Sequence, residues 1–541
     1  MSRSRAGKAS RRRSQTEDAP PPAAVDPRVP RAAALLLALA AAALAAFLSQ
    51  DLFAGRPRVG DEVSYALQGR ILAAGRLYLP PPAVPEAFSI DNVVLTPDRW
   101  CGKYPPGFPL LLAAGWLAGA PWLVNPLLFG LAVLGVFRLG ESLYDASTAL
   151  AGAVLLATLP FAFLQGASFM SHVASLAAAA WCLTLLSKGG TGRVRARLVG
   201  AGLLGGFAFL VRPVSALLLL LVPAAVLLVL RFEREARARA AALVLVGGLA
   251  PLAFLLFVQW RTFGGPFVSG YSVFDPTEGF LGNRHGSRAL AEIFRSNLDW
   301  YAEALPAALW AVPGSIALWL AAVLLRPRRE DLVPAAAAAG LVSGYLCYYY
   351  RDILYGGPRF ALEATGFLAL LLARGLANLA TLPGRAGWRA ASRSAAVPAT
   401  IAVAAAAMLG AATVRRELPK IAAHARNYMG VPNDPMAGAD AAGVGPDALV
   451  LVDFEDPLRS LSYVGADSPA FSAYLLLGAL EPPEGRRVYV RALPDREDEL
   501  VAAYPRAETW RVVVSLSLPR VREAPMNGPS VLHGLRWSRI R

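Results

Sequence analysis

Residues 31–62 read RAAALLLALAAAALAAFLSQDLFAGRPRVGDE, and the fold follows from how this stretch is interpreted. After Arg31 the segment to residue 49 is almost wholly apolar. About 20 such residues cross the hydrocarbon core of a bilayer as a helix. A short link with Gly55, Pro57 and Gly60 then leads straight to two carboxylates, Asp61-Glu62. A retained span followed at once by paired acids predicts a membrane protein with polar chemistry at the membrane boundary.

The rest of the chain agrees. Of its 541 residues 55% are hydrophobic and 17% charged, against about 25% charged in soluble proteins. Mean hydropathy is +0.44. These values exclude a disordered chain, which combines low hydrophobicity with dense charge. Three scattered cysteines, Cys101, Cys182 and Cys347, exclude a disulfide framework or zinc ribbon. Reading onward on the same template predicts about eleven transmembrane helices, near 31–49, 121–138, 147–165, 169–187, 197–211, 213–230, 241–260, 306–325, 332–350, 360–374 and 397–414. The fifth ends at Arg212-Pro213, as one half of a broken pair would.

A net charge of +15 invites a nucleic-acid reading, but the arginines sit in short clusters between apolar runs. That distribution reports topology rather than a DNA-binding face, so no nucleic-acid partner is expected. The basic, Ser/Pro/Ala-rich tail 1–30 is expected to be disordered and cytoplasmic. Basic clusters at 188–196, 231–240, 326–331 and 375–396 then fall on the same side, with a weaker one at 138–146. The outer side receives 50–120, 261–305, the short loop 351–359 and everything after about 415. The domain reading is therefore a tail at 1–30, a transmembrane domain at 31–414 with interfacial helices in its long first loop, and an outer domain at 415–541. Within that domain Ala448–Asp453, Arg487–Arg491 and Trp510–Ser515 read as short buried strands, and 468–477 and 495–504 as helices. The alternation predicts a small α/β domain with a parallel sheet.

Polar groups gather on the outer side, while the helix centres between 121 and 350 hold almost no charge. A transporter places ionisable groups near the midplane. An outer-boundary site suits an enzyme acting on a lipid-linked substrate. Asp61 reads either as a helix N-cap, with Glu62 favourable in the first turn, or as a general base. Lys103-Tyr104-Pro-Pro-Gly107 leads into an apolar helix too short to span. Lys103 either snorkels to the headgroups or faces a lipid phosphate. Arg212 runs against the positive-inside bias, and its alternatives are snorkelling and phosphate binding through its guanidinium fork. Arg359, in Tyr355-Gly-Gly-Pro-Arg-Phe360, either clamps an anionic group or follows a simple turn. His172 caps the fourth helix as packing or as a ligand. Asp275 and His285 lie in the second large loop. No G-x-x-x-x-G-K, H-E-x-x-H or G-x-S-x-G motif occurs, which excludes a P-loop ATPase, a zincin and a nucleophile elbow.

The order of four motifs resembles the GT-C superfamily of membrane glycosyltransferases: Asp61-Glu62, Lys103-Tyr-Pro-Pro-Gly, Arg138-Leu-Gly-Glu-Ser-Leu-Tyr and Phe209-Leu-Val-Arg212-Pro. The likeness is to the protein O-mannosyltransferase and lipid A aminoarabinose transferase group, over about 50–375. Tyr271-Ser-Val-Phe-Asp275-Pro and Gly357-Pro-Arg359-Phe resemble bacterial members of it. The resemblance implies transfer of a sugar, with inversion, from a polyprenyl-phosphate donor to a hydroxyl of a lipid, glycan or protein acceptor at the periplasmic face of the inner membrane. It implies Asp61 as base with Glu62 assisting, and Lys103, Arg212 and Arg359 around the leaving phosphate. Tyr104, His172, Asp275, His285 and Tyr355 are further site candidates. Carboxylates and His172 on one side permit a divalent metal without requiring it. The competing readings are a lipid-linked sugar flippase and a non-catalytic envelope-assembly protein.

Overall fold

The computed structural model describes residues 26–190, 193–276, 289–310, 315–381, 396–426, 437–454, 487–517 and 531–541. His285, the helix expected at 468–477 and most of the tail 1–30 lie outside these residues.

The chain is mainly helical. α1 (Arg28–Phe53) ends where Ala54 and Gly55 turn left-handed and their N–H groups cap the carbonyls of Gln50 and Ser49. α2 (Gly60–Ala73) and a hairpin of β1 (Val93–Thr96) and β2 (Arg99–Gly102) fill the first long loop, read as outer, with α3 (Gly107–Leu117). Next come α4 (Val124–Leu143), α5 (Ala146–Ala157), α6 (Pro160–Ala167), α7 (His172–Ser187), α8 (Val194–Val211), α9 (Pro213–Arg231) and α10 (Arg234–Phe263). The short α11 (Gly270–Phe274) and the amphipathic α12 (Leu290–Ala308) belong to the second outer loop, followed by α13 (Ser315–Val323) and α14 (Leu332–Leu346). A two-stranded turn, β3 (Ile353–Leu354) against β4 (Gly357–Pro358), opens α15 (Leu362–Ala380), and α16 (Ala396–Arg426) closes the helical body.

Among the described residues seven helices are long and apolar enough to cross a membrane, and α5–α6, bent by 65° at the break before Pro160, makes an eighth. Every span read from the sequence overlaps a helix, but three of these helices, over their described residues, are shorter than a full crossing. α7 has 16 residues, α14 has 15 and α13 has nine, so at 1.5 Å per residue they rise about 24 Å or less. Among the described residues the count of eleven full-length spans is therefore not confirmed. The pattern of apolar residues marks where a helix runs but not where it stops. Met170 and Ser171 precede α7 in the outer wall instead of extending it.

The loops at 138–146, 231–240 and 326–331, read as cytoplasmic, meet at one end of the bundle. Arg31 pairs with Glu141 (2.5 Å), which also takes Arg138 (3.1 Å), while Arg231 faces Glu330 (3.6 Å) and Arg374 faces Asp331 (3.8 Å). Glu141, Glu330 and Asp331 thus pair with the basic residues gathered at this end.

The first outer loop is built differently from expectation. The sequence predicts interfacial helices in this loop, yet α2 has Val63, Tyr65, Ala66, Leu67, Gln68, Gly69 and Ile71 all buried. It is enclosed by α3, by β2 and by the hydrophobic core that the loop shares with the C-terminal domain. That domain comprises α17 (Ala437–Ala441), β5 (Leu449–Phe454), β6 (Val488–Arg491), α18 (Glu497–Ala503), β7 (Thr509–Ser517) and β8 (Val531–Arg539). Its sheet runs β6-β5-β7-β8, with β5 parallel to both neighbours. β8, not foreseen, pairs antiparallel with β7. Val450, Val452, Val490, Val512 and Val514 join Val63, Val84, Phe88 and Val94 in one core, and Arg496 reaches Glu86 at 2.8 Å. The first loop and the tail thus lie on the same side of the bundle.

Candidate active site

Two glycines set the frame. A Cβ on Gly107 would meet the Leu210 carbonyl carbon at 2.6 Å, so the start of α3 lies directly on the end of α8 and brings Lys103-Tyr104 beside Arg212. A Cβ on Gly270 would stand 2.2 Å from the Lys103 carbonyl oxygen, so α11 packs onto the same backbone. Between these elements opens a cavity of about 430 Å³, lined by Asp61, Tyr65, Asp91, Lys103, Tyr104, His172, Arg212, Tyr271, Tyr345, Tyr348, Tyr349, Tyr350, Arg359 and Phe360 among others.

Asp61 is not an N-cap. Val59 holds that position, and Asp61 lies in the first turn of α2 with its carboxylate turned to the cavity. Oδ1 accepts from the Tyr104 hydroxyl (2.5 Å) and Oδ2 from Arg359 Nη1 (3.1 Å). Burial by itself would raise its pKa. The Arg359 charge, the Tyr104 hydrogen bond and nearby Lys103 outweigh that and hold the carboxyl at about 2. Tyr104 moves the other way: burial and then the Asp61 charge push its hydroxyl well above the usual range, so it remains a hydrogen-bond donor.

Glu62 does not share the cavity. Its Oε2 accepts from the Arg58 backbone N–H (2.6 Å) and its Oε1 from the Tyr355 hydroxyl (3.0 Å). Burial raises its pKa to about 7 against the pull of those bonds and of the Arg58 charge. Tyr355, another candidate, is likewise a strut: its ring packs on Phe53 at 4.9 Å. Tyr355 and Gly356 both have positive φ, 53° and 88°, forming a two-residue hairpin turn. The Gly-Gly-Pro motif is therefore a turn, and Arg359 directly after it enters the cavity.

Arg359 joins two carboxylates, Asp61 and, at 3.4 Å, Asp352. Burial raises the Asp352 carboxyl in spite of that cation. Lys103, only 5% exposed, does not snorkel. Its ammonium lies over Phe274, Tyr271 and Tyr104, 4.5, 5.2 and 5.4 Å from the ring centres. Such an aromatic cage favours a cation and turns Lys103 toward the site. Asp275 follows α11 and is not among the residues lining the cavity.

Arg212 occupies the gap between α8 and α9. Its guanidinium pairs with Glu363 (3.0 Å) and donates to Ser215, Ser171 and Tyr345 hydroxyls at 3.2, 3.2 and 3.1 Å. Glu363 also holds His172 Nδ1 at 3.1 Å. Sequence reasoning missed Glu363. The available signal was a carboxylate inside an apolar span, where charge is expensive unless paired. It also missed the tyrosine wall Tyr345, Tyr348, Tyr349 and Tyr350. No group of three or more His, Cys, Asp or Glu side chains placed to hold a metal ion occurs among the described residues.

The arrangement combines a carboxylate, three cations lining one cavity and a wall of hydroxyls at one end of a helical bundle. Comparison with known proteins agrees with that architecture. Residues 118–260 match the family described as dolichyl-phosphate-mannose-protein mannosyltransferase. No curated protein matches the sequence. In fold the chain is similar to ArnT from Cupriavidus metallidurans in its apo state, with 15% identity, TM-score 0.50, and coverage of 89% of this chain and 92% of that one. The same protein bound to undecaprenyl phosphate gives 16% identity, TM-score 0.50 and the same coverage. The apo oligosaccharyltransferase of Archaeoglobus fulgidus is a more distant likeness, at 13% identity and TM-score 0.37 over 88% of this chain and 69% of that one. The chain is thus a multi-pass membrane protein similar in sequence over residues 118–260 to the dolichyl-phosphate-mannose-protein mannosyltransferases and in fold to ArnT.

Proposed function

We propose that this protein is a membrane glycosyltransferase that takes a sugar from a polyprenyl-phosphate donor and transfers it, with inversion, to an acceptor hydroxyl on the periplasmic side of the inner membrane. The observation that carries the reading is Asp61, half-buried in the cavity wall between Tyr104 and Arg359 with Lys103 beside it. The family match and the ArnT-like fold support the same class.

In this reading the phosphodiester enters against Lys103 and Arg359. Its negative charge competes with Asp61 for Arg359, which loosens the bond that keeps the carboxylate weakly basic. The acceptor oxygen attacks the anomeric carbon from the face opposite the phosphate. The anomeric C–O bond to phosphate breaks, its electron pair leaves with polyprenyl phosphate, and the acceptor proton passes to Asp61. Lys103 and Arg359 stabilise the charge that grows on the leaving oxygen. In a loose, oxocarbenium-like transition state the attacking hydroxyl acidifies as its bond forms, so a weak base is sufficient. Arg212, already neutralised by Glu363, is assigned to shaping the cavity instead of binding phosphate.

The test is sugar transfer from a radiolabelled panel of polyprenyl-phosphate sugars by purified protein, with host membrane extract as the acceptor source. Wild-type turnover that Asp61→Asn abolishes supports the class and the base together. Folded wild-type protein that processes no donor overturns the reading in favour of a flippase or an assembly protein.

A further inference from the structure

His172 is buried and lines the cavity, and its imidazole is held from one side only. Nδ1 meets Glu363 Oε2 at 3.1 Å. Nε2 is buried and has no hydrogen-bond partner among the described residues. A buried polar atom left unpaired costs stability, so such an atom in the wall of a binding cavity points to a ligand.

The neighbours fix what kind of ligand. A carboxylate accepts only, so Nδ1 carries the proton and the Nε2 lone pair is left as an acceptor. Glu363 also neutralises Arg212. The trio therefore balances with a neutral imidazole, and a second positive charge would be buried without a counter-ion. A neutral acceptor does not suit phosphate, which brings oxygens but no donor. It suits a hydroxyl. The adjoining wall is made of hydroxyls already tied to one another, Ser171 to Tyr65 at 2.8 Å and Ser215 to Tyr345 at 2.7 Å.

We infer that His172 Nε2 accepts a hydrogen bond from a hydroxyl of the sugar being transferred, with Glu363 as the positioning residue that sets the ring's tautomer. Lys103 and Arg359 serve the phosphate, and His172 reads the sugar. The inference rests on the transferase reading.

The experiment uses full-length protein with polyprenyl-phosphate mannose and glucose and their single-deoxy forms, comparing wild type with His172→Asn and His172→Gln. Asn keeps a polar atom for Glu363 but none near Nε2, whereas Gln reaches the Nε2 position. The expected result is a donor KM raised about tenfold in His172→Asn, partial recovery in His172→Gln, and unchanged melting temperature. One deoxy donor should lose about tenfold with wild type and nothing further with His172→Asn, because the same bond is removed twice. Deoxy penalties that stay equal in wild type and His172→Asn overturn the assignment. So does a kcat loss at unchanged donor KM with an altered pH profile, which would mark His172 as a base for the acceptor. Higher activity in His172→Asn than in His172→Gln, with the loss following melting temperature in both, also overturns it. Wild-type protein that neither binds nor turns over any donor removes the transferase reading, and the inference falls with it.

Discussion

Asp61 and Glu62 are adjacent acids with opposite fates, because successive residues of a helix point about 100° apart. Asp61 meets a guanidinium and a phenol in a cavity, while Glu62 meets a backbone amide and a phenol in packed surroundings. Asp61→Asn keeps the shape but removes the proposed proton acceptor and the Arg359 ion pair, and kcat should fall by about 10²–10⁴ with protein yield and melting temperature nearly unchanged. Glu62 yields a stability prediction. Its folded pKa of about 7 lies above its ordinary value, so the folded state holds the proton longer than the unfolded chain. The stability it contributes is complete below its ordinary pKa of 4.5 and is lost as pH rises through about 7. Glu62→Gln should flatten the pH dependence of the melting temperature across that window while transfer activity remains within a few-fold of wild type.

At the scale of elements, the site depends on close approach. α11 can deliver Tyr271 and Phe274 to Lys103 only because Gly270 has no side chain against the Lys103 carbonyl. Gly270→Ala adds one methyl that must displace backbone. The expected outcome is a donor KM raised at least fivefold, a larger effect than on kcat, with a melting temperature a few degrees lower at most. Kinetics and a thermal melt on the same preparation check it. The apolar pattern foretold this helix poorly, since five residues are too few for a period to show. The sequence did mark Lys103, Arg212 and Arg359 as outer-side cations. It could not distinguish Arg212, compensated by Glu363, from Lys103 in its aromatic cage, because the partners lie far along the chain.

At the scale of the whole molecule, the C-terminal domain and the first outer loop share a core. An exposed pair such as Arg496–Glu86 contributes little, so Arg496→Ala should leave stability almost unchanged. Leu451→Asp places a charge in the buried middle of the sheet and should unfold the domain. Because Val84 and Phe88 belong to that same core, the first loop should also become open to protease. Limited proteolysis with mapping of the cut sites checks this, and cuts confined to the tail would show that the loop stands alone.

The sequence by itself determined the membrane-embedded helical body, the gathering of its polar residues near span ends, the three principal strands of the tail and the place of Asp61 just after the first span. Each of these depends on local composition or short-range periodicity, which one segment carries without help from another. Only the tertiary structure decided which helices are full-length spans, that α2 is enclosed, that Glu62 and Tyr355 brace one another, and that His172 and Arg212 share Glu363. Those outcomes are pairings between residues up to 293 positions apart, and no local pattern encodes the partner of a buried charge.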